Sequence, residues 1–260
     1  MANENQFEEL PRRVMTLFLL VDTSGSMTIN QNIGKVNSAI DEMIPLLKEV
    51  SDENADAEIK VAVMEFSTGC RWVTHDEYGQ EGAECLDGFV WNDLEASGVT
   101  DMGAAFTELE SKLSRNTGFM KSATGAFAPV IILLSDGQPT DNIHPGLDKL
   151  KRNNWYRAAT KIAIAVDNGD TTALTAFTGS IEGVLKVNSN RDDLKKMLCK
   201  LAVVSSTMQS RSVSAGRSGD DEENARQFAK EAVKQTEEDD ADNLSAPAPN
   251  PGPWNSKGVW

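Results

Sequence analysis

The chain has 260 residues, with 40 acidic side chains against 25 basic ones and a formal net charge of -15. That balance excludes the basic face by which nucleic acid or an anionic membrane is held directly. The length suits one well-buried domain plus an appendage, and no apolar run approaches the roughly 20 residues needed to span a bilayer.

Residues 1–13 are a polar N-terminal extension without the apolar stretch of a signal peptide, so a cytoplasmic location is expected. Three cysteines, Cys70, Cys85 and Cys199, form no C-x-x-C pair and are odd in number. This fits reduced thiols, with a Cys70–Cys85 bridge as the less favoured alternative. Val14 to Val21 is a mostly apolar run that reads as a buried strand, and it leads directly into Asp22, Ser24 and Ser26. Val36, Ile40, Met43, Ile44, Leu47 and Val50 recur at helical spacing, predicting an amphipathic helix near 34–51 with a kink at Pro45. Ile59 to Phe66 reads as the next strand. The segment from Cys70 to Trp91 reads as loosely structured, with room for one short edge strand.

Ser97-Gly98-Val99-Thr100-Asp101 places a hydroxyl just before a helical stripe formed by Met102, Ala105, Phe106, Leu109 and Leu113. Val130 to Leu134 is a third strand, and it delivers Ser135-Asp136-Gly137-Gln138-Pro139-Thr140-Asp141 into a turn. Pro145 to Ala159 then reads as a helix and Lys161 to Val166 as a strand. A short helix over Thr171 to Phe177, a strand over Gly183 to Val187 and a closing helix through Leu194, Met197, Leu198, Leu201 and Val204 complete the pattern. Strands alternating with helices predict a doubly wound, mostly parallel α/β fold, here with six strands and helices on both faces.

The domain is expected over 14–207. Residues 208–260 change to Ser-rich, then acidic, then Pro-rich sequence, which reads as a flexible tail with a short helix near 221–236. Within it, Phe228, Trp254 and Trp260 are candidate anchors for a partner, since large aromatic side chains dominate binding hot spots.

The chemistry concentrates at strand ends. Asp22, Ser24 and Ser26 offer carboxylate and hydroxyl oxygens without nearby His or Cys, a donor set for Mg²⁺, Ca²⁺ or Mn²⁺. In a doubly wound sheet, ligands gather beyond the carboxyl ends of strands, where Asp22 and Asp136 are expected. Enzymatic signatures are missing: position 24 is Ser where a haloacid-dehalogenase-type phosphatase has its second Asp, and neither G-x-S-x-G nor G-x-x-x-x-G-K-[ST] occurs. His144 precedes Pro145 at a helix start, where a capping role is expected rather than catalysis. A binding protein, not an enzyme, is therefore expected, with a metal-dependent phosphohydrolase as the weaker reading.

The D-T-S-G-S segment, the T-D-M-G segment and the S-D-G-Q-P-T-D segment, in this order, resemble the von Willebrand factor type A (VWA) family over about Val14 to Val204. The resemblance implies a metal-ion-dependent adhesion site (MIDAS). Asp22, Ser24, Ser26, Thr100 and Asp136 would hold one divalent cation, most readily Mg²⁺, and a partner protein would supply an Asp or Glu. Asp101 and Asp141 are expected beside the site without ligating directly. The chain is further similar to bacterial intracellular VWA proteins of the TerY-like, tellurium-resistance-associated group. That similarity implies a stress or chemical-defence assembly containing a Ser/Thr kinase and a metal-dependent Ser/Thr phosphatase. The alternative is a client-recruiting adaptor of an AAA-type ATPase.

Overall fold

A computed structural model of the chain describes residues 12–122, 125–167, 169–187, 194, 198–199, 223–227 and 229–234. Strand β1 (Arg13–Asp22) lies at its centre because both of its faces are apolar. Met15, Leu17, Leu19 and Val21 enter one core, while Phe18 and Leu20 enter the other. A strand covered on both sides needs no polar alternation, which is why the run reads as continuous in sequence.

β1 pairs in parallel with β2 (Ala57–Ser67) and with β5 (Val130–Ser135). β5 pairs in parallel with β6 (Thr160–Val166), and β6 with β7 (Val184–Val187). The short strands β3 (Gly69–Trp72) and β4 (Glu84–Cys85) pair with β2 in antiparallel fashion. The sheet therefore has seven strands, in the order β3-β2-β1-β5-β6-β7 with β4 also on β2, one more than the six expected. A two-residue strand has no alternation to betray it, so the segment after Cys70 hid a pairing that only β2 reveals.

The same register rules out the Cys70–Cys85 bridge. Cys70 faces Phe66 and Cys85 faces Lys60, six residues apart along β2. At about 3.3 Å per residue that is about 20 Å, far beyond the roughly 7 Å a disulfide permits between Cα atoms.

Helix α1 (Asn32–Glu53) buries Val36, Ile40, Met43, Ile44 and Leu47 against one face of the sheet. It continues on both sides of Pro45, which removes one backbone donor without ending the helix. The other face is covered by α2 (Met102–Lys112), α3 (His144–Arg152), α4 (Asn154–Ala158) and α5 (Thr172–Thr178). The single helix expected over 145–159 is thus two helices. Asn153 adopts an extended backbone, and its side-chain oxygen accepts from the amides of Trp155 and Tyr156, so one residue ends α3 and caps α4.

Leu194, Leu198 and Cys199 are helical and buried; the rest of the expected closing helix lies outside the described residues. Residues 223–227 and 229–234 are also helical, and Ala225, Ala229, Ala232 and Val233 are buried. The last three join the core shared with α1, and Lys230 pairs with Glu182 at 2.8 Å. This part of the expected tail therefore packs on the domain. Phe228, Trp254 and Trp260 lie outside the described residues, as does the Ser-rich stretch before the helix. No described helix is long and apolar enough to cross a membrane.

Candidate metal centre

The strand order reverses between β1 and β5: the chain winds outward from β1 to β2, then returns through α2 to β5 on the other side. Loops leaving the two neighbouring carboxyl ends diverge there and leave a crevice between them. Asp22 closes β1 and Asp136 follows β5, so both carboxylates stand at this crevice.

Asp22 is wholly buried. Its Oδ1 accepts the amide of Ser24 at 2.9 Å, and its Oδ2 accepts the hydroxyl of Ser135 at 2.6 Å. Ser24 Oγ lies 3.0 Å from Ser26 Oγ, and Ser26 Oγ donates to Asp136 Oδ1 at 2.8 Å. Four of the five expected side chains thus form two short, linked groups of oxygens across the β1 and β5 ends. The fifth, Thr100, is 5 % exposed on a loop bound to both others. Gly25 N donates to Gly98 O at 3.1 Å and Ser97 N to Thr23 O at 2.8 Å. On the other side, Thr140 N donates to Thr100 O at 2.9 Å, and Thr100 N to Thr140 Oγ1 at 3.1 Å.

The two neighbouring acids support these loops. Asp101 precedes α2 yet does not cap it; its carboxylate accepts the amide of Gly69 at 2.8 Å, fastening the β2–β3 turn. Asp141 does the capping from a different loop, accepting the amides of Gly103 at 2.9 Å and Ala104 at 3.0 Å. A carboxylate there satisfies orphan donors and complements the helix dipole. Gly103 is needed at this junction, because a Cβ would stand 2.4 Å from Asn142 O and 2.7 Å from Asp141 Oδ2.

Burial is the largest influence on Asp22 and pushes its pKa above the ordinary value, against the hydrogen bonds from Ser135 and Ser24. Asp136 is raised for the same first reason, opposed by bonds from Ser26 and Asn32 and assisted by the charge of Asp167. Among the described residues no three His, Cys, Asp or Glu side chains cluster as ligands. The oxygens here are instead two carboxylates and three hydroxyls, a set suited to hard cations and poor for soft ones.

Two contributors were missed by the sequence reading. Asn32, 1 % exposed at the start of α1, is polar and close enough to Asp136 to oppose the rise in its pKa. Asp167, immediately after β6, lies near enough for its charge to act on Asp136. The signal for Asp167 was present: K-I-A-I-A-V-D is an apolar strand ending in a carboxylate, the same pattern as at Asp22 and Asp136.

Residues 16–198 match the von Willebrand factor type A domain. Among solved structures, proximal thread matrix protein 1 from the mussel byssus, with a zinc-occupied MIDAS motif, aligns at a TM-score of 0.54 and 18% identity, covering 75% of this chain and 48% of that one. A von Willebrand factor type A protein from Catenulispora acidiphila aligns at 0.52 and 15% identity, covering 74% of this chain and 43% of that one. The ArnB paralog VWA2 from Sulfolobus acidocaldarius aligns at 0.50 and 16% identity, covering 72% and 44%. This chain spans about half the length of these solved chains or less. No curated protein matches the sequence. With the match extending over most of its length and the strand order of the fold in place, the chain belongs to the von Willebrand factor type A domain family.

Proposed function

We propose that this chain is a cation-dependent protein-interaction module in which Asp22, Ser24, Ser26, Thr100 and Asp136 hold one divalent cation that captures a carboxylate of a partner protein. The observation that supports this most directly is the joining of the Ser24, Ser26 and Asp136 side chains, on loops from separate strands, beside a buried Asp22. Neither Asp22 nor Asp136 is offset by a basic side chain among the described residues; hydrogen bonds alone oppose the cost of burying them. A bound cation supplies the missing positive charge and, with only two carboxylates around it, retains attraction for a third from outside. The all-oxygen donor set favours Mg²⁺, with Ca²⁺ or Mn²⁺ as substitutes. The zinc in the mussel protein supports divalent occupancy of this kind of site and makes Zn²⁺ a useful competitor.

The finer setting we infer is a cytoplasmic bacterial stress or chemical-defence assembly with a Ser/Thr kinase and a metal-dependent Ser/Thr phosphatase. The similarity of the short Val14 to Val204 module with its S-D-G-Q-P-T-D segment supports it, and the thiols of Cys70 and Cys85 agree with a reducing compartment. Calorimetric titration of Mg²⁺ into chelator-treated protein tests the cation; affinity capture from the native cell, with and without excess chelator, tests the partner. Unchanged capture in chelator would defeat the reading.

A further inference from the structure

The loop after β6 grips the proposed centre in a way the expected ligands do not explain. Three non-glycine residues among those described have positive φ: Asn30 at 51°, Gln31 at 57° and Asp167 at 56°. Left-handed backbone is disfavoured for any residue carrying a Cβ, and strain of this kind persists only where surrounding contacts impose it. Two of the three meet directly, since the Asn30 side-chain amide donates to the Asp167 carboxylate, and Gln31 is the next residue along the chain from Asn30. Asn30 lies in the 3-10 turn Gly25–Gln31, which carries Ser26. Asp167 is itself fastened to β7, its amide donating to Val187 O at 2.9 Å.

The same loop closes on the Asp136 turn. Gly169 comes so near that a Cβ would stand 2.3 Å from Asp136 O, and Gln138 donates to Asp170 at 2.7 Å. One short segment therefore connects the turn bearing Asp136 to the loop bearing Ser26.

We propose that Asp167 is a positioning residue of the cation centre: through Asn30 it holds the Ser26 loop against the Asp136 turn, and its negative charge strengthens retention of the cation. This inference rests on the reading of the centre as a cation site. Hold and charge are separable by mutation. Asp167→Asn keeps an acceptor oxygen and a residue type tolerant of positive φ while removing the charge. Asn30→Gly keeps the backbone conformation while removing the donor.

The test is calorimetric titration of the full chain with Mg²⁺, paired with amide hydrogen exchange over residues 27–32 in the metal-free protein. Asp167→Asn is expected to weaken Mg²⁺ about three- to tenfold, the scale of a nearby charge acting through partly solvated protein. Asn30→Gly is expected to accelerate exchange over 27–32, on the order of tenfold, by releasing the loop. Asp148→Asn, at an exposed position of α3, is expected to match wild type in both. Equal weakening of Mg²⁺ by Asp148→Asn, or unchanged affinity in Asp167→Asn, overturns the role of the charge; unchanged exchange in Asn30→Gly overturns the hold. A wild-type chain that takes up no Mg²⁺ overturns the cation reading itself.

Discussion

The two ends of the sheet treat charge in opposite ways. At the amino ends of β1 and β2 a cavity of about 470 Å³ is lined by Lys60, Lys112 and Lys121 together with Asp76, Glu77 and Glu81. Its three basic side chains stand against three acidic ones, and two of the lysines have acidic neighbours: Lys112 pairs with Glu81 at 3.6 Å and Glu108 at 3.3 Å, and Lys60 stands 3.8 Å from Glu58. At the carboxyl ends of β1 and β5 Asp22 is buried and Asp136 half-buried among hydroxyls, and loss of hydration pushes both pKa values up. A roomy but neutralised cavity needs nothing from outside. Desolvated charge opposed by hydrogen bonds alone does, and this contrast marks the proposed binding end better than volume.

The largest expected effect falls on that end. Asp22→Ala and Asp136→Ala should each weaken Mg²⁺ by roughly a hundredfold or more, exceeding what loss of an outer supporting group costs. Far-UV circular dichroism should remain that of the parent, since each change deletes a charge that desolvation makes costly. Retained affinity in both variants would dissolve the contrast between the ends.

Next comes pH. Raised carboxyl pKa values mean that the metal-free fold binds these protons more tightly than the unfolded chain does. Their contribution to stability is then full below the unfolded value of 3.8 and is lost as pH rises through the raised folded values. A cation competes for the same carboxylates, so it should reverse the penalty. The gap in Tm with and without Mg²⁺ should widen from about pH 4 to about pH 7. A gap that stays constant across this range would show that neither carboxylate is involved.

Smaller effects should separate support from chemistry. Gly103→Ala forces a side chain toward Asn142 O and should cost about 1–3 kcal/mol in denaturant unfolding. Asp141→Ala should cost about 1 kcal/mol through loss of the α2 cap. The smallest belongs to the opposite end: Lys112→Ala should change stability by less than about 1 kcal/mol and leave Mg²⁺ affinity untouched. A large loss of affinity there would show that the two ends are coupled.

Much of this organisation was legible because two of its signals are local. Apolar runs such as Val130 to Leu134 declare buried strands wherever they occur, and the run ends at the polar residue that follows. The helical stripe of α1 likewise survives its proline, since apolar spacing rather than one missing donor decides whether the helix is stabilised. The break at Asn153 was not legible, because the capping geometry depends on a single residue inside an otherwise helical pattern. Asp101 and Asp141 were both expected beside the centre, but not which of them would cap α2. That assignment depends on two loops meeting, and the nearer residue in sequence turns out to fasten Gly69 instead.

The amino-acid sequence by itself determined the parallel core, the placing of Asp22 and Asp136 at strand ends and the presence of hydroxyls around them, since periodicity and strand-end chemistry are written within a few neighbouring residues. Tertiary structure alone decided that β4 adds to β2, that Ala229, Ala232 and Val233 join the α1 side of the core, and that Asn30 reaches Asp167 across 137 positions of chain. Contacts of that span depend on how loops and helices settle once the sheet has formed, and no local pattern carries them.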